Sequence, residues 1–230
     1  MPRTLAIGDI HGCLTQLEAL LTAVAPAKGD HVILLGDFVD RGPYSAGVLN
    51  RLMQLARVEG TLVDCIKGNH EQMMLDARSS LHQQREWILN GGDATLASYA
   101  GNRSTLRDIP GEHWRFLETG LVDYVETATH IFVHANISPD LDMADQPDYM
   151  LRWERCDETA PHHSGKTMVC GHTPQKRGRP MNRGYAICID THACGRSGRL
   201  TCLDAGSGKI WQADARGQIS RAHISDFEGD

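Results

Sequence analysis

The chain has 230 residues, 41% of them apolar, which fits one domain with a sizeable core. Its formal charge of -6, from 29 acidic and 23 basic residues, contains no block of like charge and so leaves no footprint for nucleic acid or a membrane surface. No apolar run approaches the length of a membrane span, no leader-like segment stands before the first strand pattern, and the seven cysteines form no Cys-x-x-Cys pair, so a reduced, cytoplasmic protein is expected.

Residues 4–7 form a short apolar run, after which Leu14, Leu17, Leu20, Leu21 and Val24 recur at helical spacing until Pro26. The cycle repeats with a strand at 32–35, a loop over 36–43, and a helical face of Val48, Leu49, Leu52, Met53 and Leu55. A third run, 62–66, leads through Gly68-Asn69-His70-Glu71 to a Met- and Leu-rich helix. Units of this kind imply parallel strands with right-handed crossovers, and ligands collect at the carboxyl ends of such strands. Polar helical pieces over about 79–120, with Gly91-Gly92-Asp93 and Trp114, read as an insertion over the site within a single domain spanning 1–230. Strand-like runs follow at 121–126, 130–133, 167–170, 185–189, 200–203 and 209–212, and with few helices between them a more antiparallel sheet is expected. Between them, 136–165 is a long loop rich in Pro, Asp and His, of the kind that is often functional.

Five runs end strand-like segments and offer metal-ligand chemistry: Gly8-Asp9-Ile10-His11-Gly12, Gly36-Asp37-Phe38-Val39-Asp40-Arg41-Gly42, Gly68-Asn69-His70-Glu71, His134-Ala135-Asn136 and Gly171-His172-Thr173. Asp9 and His11, two apart, can turn toward one point. Asp37 offers a carboxylate able to bridge two cations, and Asn69, His134 and His172 add neutral donors; the mixture suits Mn, Fe or Zn better than a thiolate-selecting site would. Beside these ligands, His70 is placed to protonate a leaving-group oxygen, Asp40 to fix its tautomer, and Arg41 to match phosphate oxygens. Glu71 reads as a first-turn residue favoured by the helix dipole rather than a catalyst. Gly165-Lys166-Thr167 resembles the end of a phosphate-binding loop, but Ala160 stands where its first glycine belongs and a strand follows. His162 and His163 read as a pair facing solvent.

In letters and spacing the five runs resemble the motif set of the metal-dependent phosphoprotein phosphatases, in the calcineurin-like metallophosphoesterase superfamily, most closely its small bacterial and phage-like members. The resemblance implies an α/β fold, a four-layer αββα sandwich of two mixed sheets flanked by helices. It implies two divalent cations, Mn2+ first with Fe, Zn, Ni or Co as alternatives: Asp9, His11 and Asp37 hold one, and Asp37, Asn69, His134 and His172 the other. It further implies that His70 paired with Asp40 is the general acid, that Arg41 grips the phosphate, and that a metal-bridging hydroxide attacks in line.

The resemblance also implies a second phosphate-binding arginine, which in small bacterial and phage relatives follows a Trp-x-Arg pattern; here that is Trp153-Glu154-Arg155, which makes it Arg155, with Arg152 close enough to compete. Asn136 and His192 depart from the small residue and the glycine that many members of the resembled family carry there, and are read as substrate-binding. Asp40 and Glu71 follow the protein-phosphatase pattern rather than that of relatives cleaving dinucleoside polyphosphates symmetrically. The expected substrates are phosphoserine and phosphothreonine, with phosphotyrosine or a small phosphomonoester in range. Dinucleoside polyphosphate or phosphodiester hydrolysis at the same centre is the alternative. A noncatalytic scaffold predicts damaged ligands, and none of the six is missing.

Overall fold

A computed structural model describes residues 2–101, 103–175 and 177–228. Strand β1 (Thr4–Ile7), helix α1 (Leu14–Val24), β2 (His31–Leu34), α2 (Ser45–Leu55) and β3 (Leu62–Cys65) follow one another as the periodicities require. The three strands pair in parallel, Thr4 beside His31 and His31 beside Leu62, so their carboxyl ends share one edge. Helix α1 ends before Pro26, which has no N–H to continue it.

Alternation along these strands divides their side chains between two cores. Leu5, Ile7, Val32 and Leu34 pack with Leu17, Leu20, Leu49 and Leu52 of α1 and α2. Ala6, Ile33 and Leu35 face the other way and meet Phe132, Val169 and Ile187 of a second sheet. That sheet has the order β4 (Tyr124–Glu126), β5 (His130–Val133), β6 (Thr167–Cys170), β8 (Ala186–Cys188), β7 (Met181–Asn182). The alternate residues of the second sheet, among them Ile131, Val133 and Met168, pack under Ile137, Met143 and Leu151, the last from α7 (Asp148–Arg152). Two mixed sheets thus lie face to face between helical layers, the α/β sandwich expected. Complete burial of a side chain such as Ile33 or Phe132 between them contributes roughly 1.5–3 kcal/mol.

The second half is not the antiparallel sheet anticipated from its short strands. β5, β6 and β8 run parallel, and only the margins β4 and β7 are antiparallel. The antiparallel strands β9 (Arg199–Asp204), β10 (Lys209–Asp214) and β11 (Ile219–His223) return instead to the first sheet, giving the order β11-β10-β9-β1-β2-β3. Connection length explains the division: short turns join β9 to β10 and β10 to β11, and only antiparallel neighbours can use them, whereas β5 and β6 are separated by a segment long enough to cross over.

Residues 79–120 form α4 (Leu81–Trp87), α5 (Asp93–Ala100) and α6 (Gly111–Thr119), which pack against α2 and α3 (Asn69–Asp76). A wide π turn, Ile88–Gly92, joins α4 to α5; there Gly91 takes φ 108°, and a β-carbon would lie 2.9 Å from the Arg41 nitrogen. Among the described residues no helix is long and apolar enough to cross a membrane.

Candidate dinuclear metal centre

Backbone contacts draw the five motif loops together. The N–H groups of Ile10 and His11 both donate to the Asp37 carbonyl, at 3.1 and 2.7 Å, and that of Gly171 donates to the His134 carbonyl at 2.8 Å. Gly36 has φ 102°, and a β-carbon on it would stand 2.7 Å from His134 Nδ1 and 2.8 Å from the Gly68 nitrogen, so only glycine lets these loops meet. Asn69, His70 and Glu71 are the first three residues of α3 itself rather than of a loop before it. The site residues His11, Asp37, Asp40, Arg41 and His172 all have left-handed backbone, with φ of 44, 50, 71, 66 and 61°, a conformation side-chain-bearing residues adopt at a cost.

Asp37 stands at the middle. Its Oδ2 lies 3.5 Å from His11 Nε2 and 3.9 Å from His70 Nε2, and its Oδ1 lies 3.4 Å from His134 Nε2. Ligand atoms of His11, Asp37 and His70 form one cluster and those of Asp37, His134 and His172 another, each within 4.8 Å. Asn69 Oδ1 joins the second, 3.1 Å from His134 Nε2 and 3.2 Å from His172 Nδ1. Asp9 stands slightly apart: both its carboxylate oxygens accept the His172 N–H, at 3.2 and 3.0 Å, and it belongs to neither cluster.

The tautomers show what the donors suit. His11 Nδ1 faces the Val39 carbonyl at 2.9 Å and His134 Nδ1 the Leu35 carbonyl at 2.8 Å. A carbonyl only accepts, so each Nδ1 carries the proton and each Nε2 presents a lone pair. Burial pushes His11 down to about 3 and His134 down to about 4, which keeps both rings neutral. The His134 lone pair therefore points at Asp37 Oδ1 and Asn69 Oδ1, acceptor against acceptor. Asp37, although buried, holds its carboxyl well below the usual range and so stands ionised. An ionised carboxylate ringed by inward lone pairs, with no thiolate, fits a borderline or hard divalent cation. Arg41 Nη1 donates to His11 Nε2 at 2.7 Å and so claims a lone pair that a cation would use.

His70 Nδ1 faces Asp40 Oδ2 at 2.7 Å. The buried Asp40 carboxylate also accepts the Trp87 indole N–H, 3.0 Å from each oxygen, and the Thr95 hydroxyl at 2.7 Å. Burial raises the Asp40 carboxyl, while on His70 the effect of burial is outweighed by Asp37 and Asp40, which raise it. Over this pair opens a cavity of about 310 Å³ whose lining includes Arg41, His70, Trp153, Arg155 and His172.

Arg155 stands at the cavity with its side chain 57% exposed and paired to Asp157 at 2.6 Å. Arg152 does not compete: it is buried between Asp123 and Asp148, at 2.5 and 2.9 Å. Asn136, expected at the substrate, is turned into the fold, its Nδ2 donating to the Arg155 carbonyl at 2.9 Å while its Oδ1 accepts from Ile137 N–H and Thr159 Oγ1. It anchors the arginine rather than lining the cavity. His192, also expected there, has φ 59°, and this backbone lays its ring against Gly195, where a β-carbon would be 2.4 Å from Nδ1. Of the two adjacent histidines, His162 is buried and bonded to Ser164 and the Leu141 carbonyl; only His163 faces solvent.

The structural role of Glu71 and the partners of the loop after β2 carry no local signal in the sequence. Glu71 is fully buried, its Oε2 accepting the N–H of Asp37 at 2.8 Å and of Gly68 at 3.0 Å, its Oε1 those of Phe38 at 2.8 Å and Val39 at 3.3 Å. The α4–α5 helices fix the loop after β2 through Trp87, Thr95 and the Gly91 carbonyl, which accepts the Arg41 N–H at 3.1 Å.

A family model for calcineurin-like phosphoesterases matches residues 2–193. The serine/threonine-protein phosphatase 1 of Salmonella typhimurium is 41% identical over 88 residues, 38% of each chain. The symmetrical bis(5'-nucleosyl)-tetraphosphatase of Pseudomonas fluorescens is 36% identical over 138 residues, 59% of this chain and 44% of that one. The chain thus spans well under two thirds of the length of these curated relatives. The cold-active protein-tyrosine phosphatase of a Shewanella species shares the fold, with a TM-score of 0.64 over 96% of this chain and 80% of that one, at 21% identity.

Proposed function

This chain belongs to the calcineurin-like phosphoesterase family, and from that premise we propose that it is a metal-dependent phosphomonoesterase of the phosphoprotein-phosphatase type, acting on phosphoserine and phosphothreonine with phosphotyrosine in range. The observation that carries the reading is the buried His70–Asp40 pair, 2.7 Å apart, beneath a cavity edged by Arg41 and Arg155. Asp9, His11 and Asp37 would hold one divalent cation and Asp37, Asn69, His134 and His172 the other. Two such cations, Mn2+ in this reading with Fe, Zn, Ni or Co as alternatives, supply Lewis-acid charge and a nucleophile from water near neutral pH.

The chain's own residues do the rest. Arg41 and Arg155 present planar forks to the phosphoryl oxygens. His70 delivers a proton from Nε2 to the departing serine or threonine oxygen, while Asp40, held by Trp87 and Thr95, keeps Nδ1 protonated and the ring aligned. Residues 1–230 act in this reading as one cytoplasmic domain with 79–120 as its insertion, and the partner is a phosphorylated protein or small phosphomonoester rather than nucleic acid or membrane. The seven free thiols agree with a reducing compartment.

A second reading, hydrolysis of dinucleoside polyphosphates or phosphodiesters at the same centre, draws on the tetraphosphatase relative and on a neighbouring cavity of about 250 Å³. That cavity shares Arg41 and is edged by the exposed Tyr44, on which a base can stack.

In Mn2+-saturated protein, His70→Asn is expected to slow phosphopeptide hydrolysis roughly 10²–10⁴-fold and to slow p-nitrophenyl phosphate hydrolysis less, because nitrophenolate leaves without a proton. An unchanged phosphopeptide rate removes His70 as the acid. Turnover of phosphopeptides, diadenosine tetraphosphate and a bis-aryl phosphodiester, compared side by side, separates the two readings; a preference for either of the latter overturns the first. Activity that survives exhaustive chelation overturns both.

A further inference from the structure

Three cysteines with no part in the proposed reaction, Cys156, Cys170 and Cys188, are fully buried with their Sγ atoms all within 4.8 Å of one another. Fourteen and eighteen residues of chain separate them, so no spacing rule announces the cluster. Cys170 and Cys188 end β6 and β8 side by side in the parallel ladder. Cys156 comes from elsewhere, at the start of the 3-10 turn Cys156–Glu158 just after Arg155, and its N–H is held by Thr173 Oγ1 at 3.0 Å. Cys188 Sγ donates weakly to the carbonyls of Gly171 and Thr173, at 3.3 and 3.4 Å. The Cys188 sulfur therefore lies against the backbone of the loop that carries His172.

Small buried thiols often do nothing more than pack. Here, however, three converge from three segments, and no imidazole or carboxylate belongs to the cluster. An all-sulfur donor set selects soft ions. A planar three-coordinate array with metal–sulfur bonds of about 2.3 Å places its sulfurs on the order of 4 Å apart, a spacing that three sulfurs all within 4.8 Å of one another can meet. A closed zinc site would need a fourth ligand, and none stands in the cluster among the described residues.

We infer that Cys156, Cys170 and Cys188 form a three-coordinate site for a soft, thiophilic cation of the copper(I) class, separate from the dinuclear centre. Binding transfers no electrons: each coordinating thiol releases its proton to solvent as its sulfur takes the ion. Access runs through the Cys156 turn, the only one of the three segments outside a strand, whose neighbours Arg155 and Asp157 are exposed. An ion there ties the Arg155 segment to the His172 loop.

The test uses the full chain, reduced, metal-free and anaerobic, with Cu+ presented in competition with bicinchoninate. One Cu+ per chain should be withdrawn from the chelator, and X-ray absorption should find three sulfurs at about 2.3 Å around it. Cys156→Ser and Cys170→Ser should lose this equivalent, whereas a Cys13→Ser, Cys194→Ser double variant, altering thiols at a different cavity, should keep it. Retention by both single variants, loss in the double variant, or nitrogen and oxygen neighbours in the absorption spectrum overturns the site. Because Cys156 lies on a surface turn and the absorption measurement needs no variant, misfolding of the Cys170 variant does not shelter the inference.

Discussion

Replacing Glu71 with Gln tests how the centre is held together. The substitution keeps the shape but turns one carboxylate oxygen into an NH2 group. Whichever way the amide turns, two backbone N–H groups then face a donor: Asp37 and Gly68 in one orientation, Phe38 and Val39 in the other. Each buried orphan donor costs roughly 1–3 kcal/mol, so the gross loss is about 2–6 kcal/mol. Part is returned above about pH 8, where Glu71 is ionised, because burial and then Asp37 oppose its charge, pushing its carboxyl up to about 8, and the amide removes that conflict. Cation-free Glu71→Gln should therefore be destabilised by about 2 kcal/mol, a fall in Tm of roughly 4–8 °C for a chain of this size. With Mn2+ present the loss should be larger, since a cation at Asp37 quenches the repulsion that the amide relieves and the displaced Asp37 loop binds it less well. Urea unfolding with chelator and with Mn2+, together with Mn2+ titration, measures both quantities. Equal stability of the two proteins in Mn2+ would refute the claim that Glu71 joins the two loops.

Other expectations follow from single contacts. Trp87→Phe removes the indole donor shared by both oxygens of buried Asp40 and should cost about 1–3 kcal/mol while lowering phosphopeptide kcat more than it changes KM; unaltered Tm and kcat would contradict it. Burial alone would raise the Asp30 carboxyl, but the Arg3 side chain and the N–H groups of Ala27 and Arg3 hold it down to about 2. A carboxylate depressed below its unfolded value near 3.9 stabilises the fold above about pH 4 and loses that contribution as pH falls toward about 2. Asp30→Asn should therefore lower Tm at about pH 6 and leave it nearly unchanged at about pH 2, with equal losses at both counting against the account. Ala25, exposed and left-handed at the end of α1 with φ 45°, should gain from Ala25→Gly: roughly 0.5 kcal/mol, or 1–2 °C in Tm by calorimetry, and a lower Tm would contradict it.

The alternation of strand and helix periods makes the first sheet's parallel core and the strand-end position of the motifs legible in the sequence, because both depend on neighbours only a few residues away. Pairing between distant strands does not. Nothing local says that β9 joins β1 instead of β8, and β11, with its polar Ser220 and Arg221 at a sheet edge, has no apolar run to mark it. Within the site the same boundary applies. Asp9, His11 and Asp37 announce themselves by type and spacing, while the partners of Asp40 lie 47 and 55 residues downstream in helices whose pattern shows only that they are helices. An amide beside a candidate ligand, such as Asn136, looks the same in a sequence whether it faces substrate or the backbone behind it.

The left-handed backbone at His11, Asp37, Asp40, Arg41 and His172 bears on how this protein would respond to laboratory evolution. Each position sits in a conformation that glycine adopts without penalty and that an L side chain adopts at roughly 1–2 kcal/mol. A screen rewarding heat resistance alone should therefore drift toward glycine at positions 11, 37, 41 and 172, hardening the shell while stripping it of chemistry, but not at 40, whose carboxylate satisfies the buried Trp87 and Thr95 donors. A screen that also demands turnover has no such route, and must find its gains elsewhere, beginning with Ala25. Sequenced survivors of the two regimes would separate at those four codons, which makes the backbone angles a forecast of where selection for endurance and selection for work diverge.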